Sequence, residues 1–195
     1  NIKVNNLISA LPELTVIDCV LNGNATACGR FHRDAAGGGI FGQTGYINAI
    51  NTNTGYLQTS GVDVSANYRT NFSDWGMGEW GGVNFSFIGT YTDKYKVQPT
   101  SGGGTFDCAG LYGPVCSAIT NASTGPIPKW KHIVRLTWST PWPVTVSAAW
   151  RYISKVTYDG NESNVLLADP LGRTNKLDNR ISAYNYFDLS GTWKV

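Results

Sequence analysis

The 195-residue sequence is poor in charge and carries none of the common catalytic motifs. Charged residues make up 14% of the chain, against about 25% in an average soluble domain. A net charge of +2, without any cluster of lysine or arginine, argues against a nucleic-acid partner. No Gly-x-Ser-x-Gly elbow, paired-carboxylate motif or nucleotide-binding loop occurs, and His32 and His132 are far apart. We therefore predict no catalytic residue, no cofactor and no enzymatic activity.

Long hydrophobic runs are also missing. No apolar stretch approaches the ~20 residues of a membrane-spanning helix, but strands of a membrane barrel need only ~9–11 residues each and leave a weak sequence signal. Residues 1–4 have neither the basic start nor the apolar stretch of a signal peptide. We therefore expect the chain to be mature, processed or truncated, and a membrane location stays open.

Four cysteines form two local pairs, Cys19 with Cys28 and Cys108 with Cys116. Neither pair has the Cys-x-x-Cys spacing of zinc sites, and neither histidine is close to a second type of ligand, so we expect no metal site. Three disulfide connectivities are possible, but the short spacing within two separate loops favours Cys19–Cys28 and Cys108–Cys116. Such disulfides indicate an oxidising compartment or a cell surface.

Aromatic residues and glycine are plentiful, and apolar residues alternate with polar ones in five segments. In one of them Val83, Phe85, Phe87, Gly89 and Tyr91 alternate with Asn84, Ser86, Ile88, Thr90 and Thr92. Because a strand turns successive side chains to opposite faces, each segment is predicted to be a strand with one apolar and one polar face. The five predicted strands cover residues 59–70, 81–96, 129–140, 143–158 and 183–195.

The connections between these segments alternate in length. Short turns are predicted at 71–80 and 140–143, and long excursions at 97–129 and 159–182. Short turns on one side and long loops on the other are typical of outer-membrane barrels.

The aromatic residues form two levels. Those at the short-turn end are Trp75, Trp80, Trp138 and Trp142, and those at the long-loop end are Tyr91, Tyr95, Trp130, Trp150, Tyr152 and Tyr184. Two membrane–water interfaces select such levels, whereas a soluble sandwich places its largest side chains in the middle. The pattern favours a membrane barrel over a soluble, aromatic-rich glycan-binding β-sandwich, which remains the alternative.

Residues 1–58 are less regular and are predicted to be an external loop region. Residues 1–6 have the pattern of the upper end of a strand, and a short helix is predicted from about Ser9 to Val20. Residues 46–51 are expected to form a strand or one arm of a hairpin. Residues 53–55 are expected to form a turn or bulge before the regular strands begin.

Several strings, taken in order, resemble the barrel of TonB-dependent outer-membrane receptors of the proteobacterial type. They are residues 57–69 (LQTSGVDVSANYR), 107–113 (DCAGLYG), 128–132 (PKWKH), 138–142 (WSTPW), 150–153 (WRYI) and 183–190 (AYNYFDLS). Upstream, Cys19 and Cys28 with residues 31–34 (FHRD) look like an external loop of the same family. The resemblance covers nearly the whole chain, and its specificity lies in the ordered series.

This resemblance implies an all-β, antiparallel transmembrane β-barrel of about 22 strands around a plug domain, of which the sequence supplies six or seven strands and no plug. Residues 1–195 would then be part of one barrel domain in the bacterial outer membrane, with 59–195 as its regular strands. The implied function is TonB-energised uptake of a scarce solute, either a siderophore–metal complex, cobalamin or a saccharide. The implied partners are outer-membrane lipid, the remaining strands, the plug and, through it, the TonB system. A small passive barrel or porin is a further alternative.

Two groups of residues are candidates for contact with a solute. If the apolar face meets lipid, the lumen is lined by Asp63, Asn67, Arg69, Lys131, Arg135, Arg151, Asp188 and Lys194. Aromatic candidates in the external loops are Phe31, Phe41, Tyr46, Phe106, Tyr112 and Trp130. The purely structural alternatives are that the polar residues pair across strands, as Arg151 with Asp188, or against the plug, and that the aromatic residues pack the loops.

Overall fold

A computed structural model describes residues 1–9, 12–40, 44–48, 52–99, 102–119, 125–169 and 171–194. The strands are β1 (Ile2–Ser9), β2 (Phe31–His32), β3 (Tyr46–Ile47), β4 (Thr52–Asn71), β5 (Gly82–Gln98), β6 (Phe106–Asp107), β7 (Leu111–Tyr112), β8 (Trp130–Ser139), β9 (Val144–Ile153), β10 (Val156–Tyr158), β11 (Arg180–Ile181) and β12 (Tyr184–Trp193). The helices are α1 (Pro12–Asn22), α2 (Ala25–Cys28) and α3 (Pro114–Ile119). In the described ranges, none of these helices has the length and apolar character needed to cross a bilayer.

The main sheet runs in the order β1-β4-β5-β8-β9-β12, with β6 paired to β5. The pairs of this sheet with a described register are all antiparallel, including β5 with β8, β8 with β9 and β9 with β12. Strands β1 and β12 lie at the two ends of this order, so the described strands form an open sheet. The predicted antiparallel, all-β architecture is confirmed.

Each of the five predicted strands has a counterpart in the main sheet, but one of them is divided. The segment predicted as a single strand at 143–158 leaves the main sheet after Ile153, where β9 ends. Its last three residues form β10, which pairs in parallel with β7. The period of two continues across this break, so the pattern alone could not locate it.

Short turns join the long strands where the sequence predicted them. After β4, the backbone N–H of Asn71 donates to Asp74 Oδ2 at 3.1 Å, and Gly76 closes the following 3-10 turn with a φ of 72°. Between β8 and β9, Thr140 Oγ1 donates to the carbonyl of Val144 at 2.7 Å, across two prolines that cannot donate to a ladder. Side-chain bonds therefore hold both turns.

The prediction of a turn or bulge at residues 53–55 is wrong, because β4 already begins at Thr52. Strand β1 pairs there, with Leu7 opposite Thr54. The glycine has a different role from the expected one: a Cβ at Gly55 would lie 1.9 Å from the carbonyl oxygen of Gln98. Glycine thus permits a close approach of two backbones within a continuous strand.

The chain divides into two compact units. The loop unit consists of Asn1–Ser60, Asp93–Ile127 and Thr157–Ile181, and the strand unit of Gly61–Thr92, Pro128–Val156 and Ser182–Val195. Each unit draws on three separate segments. The strand unit contains the regular pairing of β5, β8, β9 and β12.

The loop unit has its own apolar core and both disulfides. The core contains Val97, Phe106, Cys108, Leu111, Cys116, Leu166 and Leu167. The favoured connectivity is confirmed, since Cys19 is bonded to Cys28 and Cys108 to Cys116. The predicted helix is also present, as α1, although it begins at Pro12 rather than near Ser9. Helix α3 was not predicted, because its six residues lie in a Gly- and Ser-rich stretch.

A buried carboxylate ties two segments of the loop unit together. Asp159 is fully buried, and its Oδ2 accepts backbone N–H bonds from Val115 at 3.1 Å and Cys116 at 2.9 Å. Its Oδ1 has no hydrogen-bond partner among the described residues. A Cβ on Gly113, whose φ is 144°, would lie 1.9 Å from this oxygen, so only glycine fits beside it. Burial raises the pKa of Asp159, although the amides of Cys116 and Val115 oppose the shift.

Candidate functional site

The register of the strand unit places the predicted polar residues on one face. Directly opposed residues of an antiparallel pair share a face, and Arg135 faces Ser86 on β5 and Ala149 on β9, while Ala149 in turn faces Asp188 on β12. Four residues before Arg135 on β8, Lys131 faces Thr90 and Ile153. The side chains of Lys131, Arg135, Arg151 and Asp188 are all exposed. These strands therefore form one continuous face, which we call the polar face.

Arg151 and Asp188 form an ion pair on the polar face. The guanidinium donates through Nε at 3.1 Å and through Nη2 at 3.2 Å to the two carboxylate oxygens. It also lies over the ring of Tyr186, 5.5 Å from the centroid. The two side chains are 49% and 54% exposed, so water screens the pair. Cross-strand pairing of these two residues was foreseen, and it holds the arginine in one orientation.

We expect this pair to add little to stability. An exposed ion pair contributes about 0–1 kcal/mol, because solvent screening and side-chain ordering offset its Coulomb energy. A double-mutant cycle with Arg151→Met and Asp188→Asn, read from denaturant unfolding, should give a coupling energy within that range. A coupling of several kcal/mol would mean that the polar face is dry, in contradiction to the exposure seen here.

The other predicted lumen residues are placed but not joined into a cluster. Asp63, Asn67 and Arg69 lie an even number of residues apart on β4, which puts them on one face, and all three are exposed. Lys194 follows β12, where its backbone N–H donates to the carbonyl of Pro143 at 2.8 Å. Within the described ranges, no three His, Cys, Asp or Glu side chains come together in a way that could hold a metal ion.

The opposite face of the strand unit, the apolar face, has aromatic side chains at both ends. At one end His132 is surrounded by Phe87, Trp130, Trp150 and Tyr152, with Trp130 Nε1 donating to His132 Nδ1 at 2.8 Å. The middle rows mix aliphatic and aromatic residues, since Phe85 and Ala148 both face Leu136, and Phe187 faces Trp150.

Trp138 marks the other end of this face, where its Nε1 donates to the carbonyl of Trp80 at 2.9 Å. From Trp130 to Trp138 the strand rises roughly 27 Å, at about 3.4 Å per residue. At the ~35–45° tilt of barrel strands this length spans roughly 19–22 Å across the bilayer, which fits within the ~25 Å apolar band of outer-membrane barrels. Of the two predicted aromatic levels, Trp130, Trp150 and Tyr152 at one end and Trp138 at the other lie on this face. The prediction is wrong for Tyr184, which faces Ile153 on the polar face.

The aromatic residues proposed for the loops occupy different environments. Phe106 is 2% exposed within the loop-unit core, and Trp130 is the first residue of β8, on the apolar face. Tyr46 is exposed and stacks on His32 at 4.4 Å, and Phe31 is half-buried beside it in the β2–β3 pair. The Tyr112 hydroxyl donates to the carbonyl of Asp178. Phe41 lies outside the described residues.

Sequence reasoning missed an apolar patch on the polar face. Ile88 faces Ile133, and Ile153 lies opposite Lys131, two residues along the same face. Ile88 is 58% exposed, Ile133 is 44% exposed and Ile153 is 41% exposed. The available signal was isoleucine at positions where the period required a polar residue, in three successive predicted strands.

Antiparallel strands with one polar face, and one apolar face that is rich in aromatic residues, are typical of the wall of a membrane β-barrel. A family model described as TonB dependent receptor-like, beta-barrel, matches residues 1–195. The chain belongs to this family of TonB-dependent receptor barrels, which are transport receptors of the outer membrane and not enzymes. Comparisons with curated proteins and with solved structures gave no significant match.

Proposed function

We propose that this protein is part of the barrel wall of an outer-membrane receptor that imports a scarce solute with energy from the TonB system. The solute is a siderophore–metal complex, cobalamin or a saccharide, and the polar face lines its route. The observation that carries this proposal is the register of the strands. On the apolar face, this register places each large side chain of β8 and β12 opposite an apolar, aromatic or small residue. A face of that kind needs lipid to cover it.

The open sheet requires further strands. Unpaired backbone groups at a sheet edge are not tolerated in hydrocarbon. Strand β12 ends the strand order on one side, and on the other side β1 pairs only with residues 52–59 of β4, so β12 and the remainder of β4 must each pair with another strand. We propose that residues 1–195 belong to one barrel domain closed by additional strands of the same receptor. A plug within this barrel is the proposed partner through which the TonB system acts.

Uptake measurements test the proposal. Cells lacking the receptor gene and complemented cells are given radiolabelled cobalamin, a ferric siderophore or an oligosaccharide, one at a time. We expect accumulation of one of these solutes to require the receptor, and to fall to the level of the deletion strain when the TonB complex is absent. Receptor-dependent uptake that continues without the TonB complex would instead identify a passive pore.

Extraction from cells separates the membrane barrel from a soluble sandwich. The proposed receptor should remain in the outer-membrane fraction and require detergent to stay monodisperse. A monodisperse product without detergent would contradict the proposal, since the apolar face exposes Phe187 (77%) and Trp193 (71%).

A further inference from the structure

We infer that the apolar patch on the polar face is a binding site for a small organic anion with a flat apolar body. This inference rests on the proposed function, because it needs the polar face to be the lumen. The site consists of two adjacent rows of side chains that run across β5, β8, β9 and β12. One row is Thr90, Lys131, Ile153 and Tyr184, and the next is Ile88, Ile133, Arg151 and Tyr186.

The two rows differ sharply from the rest of the polar face. The row below them is Ser86, Arg135, Ala149 and Asp188, and the following one contains Asn84, Thr137 and Ser147. Three exposed isoleucines are unfavourable in a water-filled lumen, because apolar surface in contact with water costs free energy until a ligand or another part of the protein covers it. Their clustering in two rows indicates a ligand-sized contact.

The aromatic part of the site is already ordered. Tyr184 and Tyr186 stack at 6.0 Å with nearly parallel rings, and Arg151 lies over Tyr186. Two tyrosine rings and a guanidinium group that are held close together can pack against a planar ring system of a ligand. Little side-chain entropy would be lost on binding, because these groups support one another before a ligand arrives.

Lys131 supplies the charge. Arg151 is neutralised by Asp188, whereas Lys131 has no ion-pair partner within the described part of the chain. Its side chain starts between Thr90 and Ile153, at the border of the isoleucines. A carboxylate, sulfonate or phosphate on the ligand would meet Lys131 while the apolar body lies on Ile133 and Ile153.

The size of the patch favours a small molecule over the plug. It spans three strand spacings of about 4.8 Å and two rows about 7 Å apart, on the order of 100 Å². A domain interface buries about 600–1,500 Å². The depression over Ile88, Lys131, Ile133 and Ile153 has a volume of about 260 Å³, close to the smallest ligand pockets.

Calorimetric titration of the complete receptor in lipid nanodiscs tests this site. The probes are naphthalene-2-sulfonate and its uncharged counterpart naphthalene-2-sulfonamide. We expect Lys131→Gln to weaken sulfonate binding about tenfold and to leave sulfonamide binding unchanged, because only the charge-assisted contact is lost. Ile133→Asn should weaken both probes, and Lys176→Gln, which removes an exposed lysine of the loop unit, should change neither.

Two results would overturn the inference. Absence of binding to the unaltered receptor would show that the plug or another part of the receptor covers the patch. Equal binding of both probes by the Lys131→Gln variant and the unaltered receptor would show that no anion site exists there. Either result leaves the proposed transport function intact. That function is tested separately by whether solute uptake depends on the receptor and on the TonB complex.

Discussion

Leu189→Arg should destabilise the receptor by about 2–4 kcal/mol, because it places a charge near the middle of a lipid-facing strand. Leu189 lies in the centre of β12, faces Ala148 on β9 and is 79% exposed. In water such an exposed leucine could be replaced at almost no cost. In hydrocarbon the guanidinium must be desolvated or must draw water into the bilayer, and both cost free energy.

The neighbouring residue provides a matched control. Ser190 is adjacent on the same strand, is also exposed, and faces Ser147 on the polar face. Ser190→Arg adds the same side chain at nearly the same depth, so its cost should be close to zero if that face is wet. The denaturant midpoint of the reconstituted receptor and the folded fraction on a gel measure both variants. Equal losses for the two variants would contradict the assignment of the faces.

The period-two pattern was sufficient to predict the strand unit, because each strand there has two distinct environments. A lipid face and a wet face impose opposite requirements on neighbouring residues, so Val83 to Tyr91 already indicate the strand and its orientation. The turn at residues 140–143 was equally visible, since prolines cannot take part in a ladder.

Other features could not be predicted, since they depend on contacts between distant segments. The patch exists because Ile88 and Ile133 have the register that brings them face to face, and a period alone does not give a register. Likewise, the role of Asp159 depends on amides more than forty residues away in α3. Gly55 was expected in a turn because glycine is common in turns. Its close approach to Gln98 is set by the sheet and leaves no signal in the neighbouring residues.

Asp159 is the second residue for which we expect a large effect. Asp159→Ala removes the acceptor for two backbone N–H groups, of Val115 and Cys116, next to the Cys108–Cys116 disulfide. An unsatisfied buried donor costs about 1–3 kcal/mol. Loss of the buried charge returns part of this cost, so we expect a net loss of about 2–4 kcal/mol in the local stability of the loop unit. Hydrogen exchange at residues 108–116 should then accelerate about 30- to 1,000-fold.

Asp159→Asn removes the charge and keeps the hydrogen bonds, because the side-chain amide oxygen still accepts from the N–H groups of Val115 and Cys116. Burial raises the pKa of Asp159 in the folded state, so folding favours the protonated carboxyl. The stability contributed by this group is therefore complete below the unfolded pKa of about 3.9, and it is lost as the pH rises through the higher, folded pKa. Exchange at residues 108–116, corrected for the intrinsic rate, should slow from about pH 8 to about pH 4 in the unaltered receptor. In Asp159→Asn this slowing should be absent. If exchange has the same pH dependence in both proteins, a group other than the Asp159 carboxylate causes the pH dependence of the loop unit's stability.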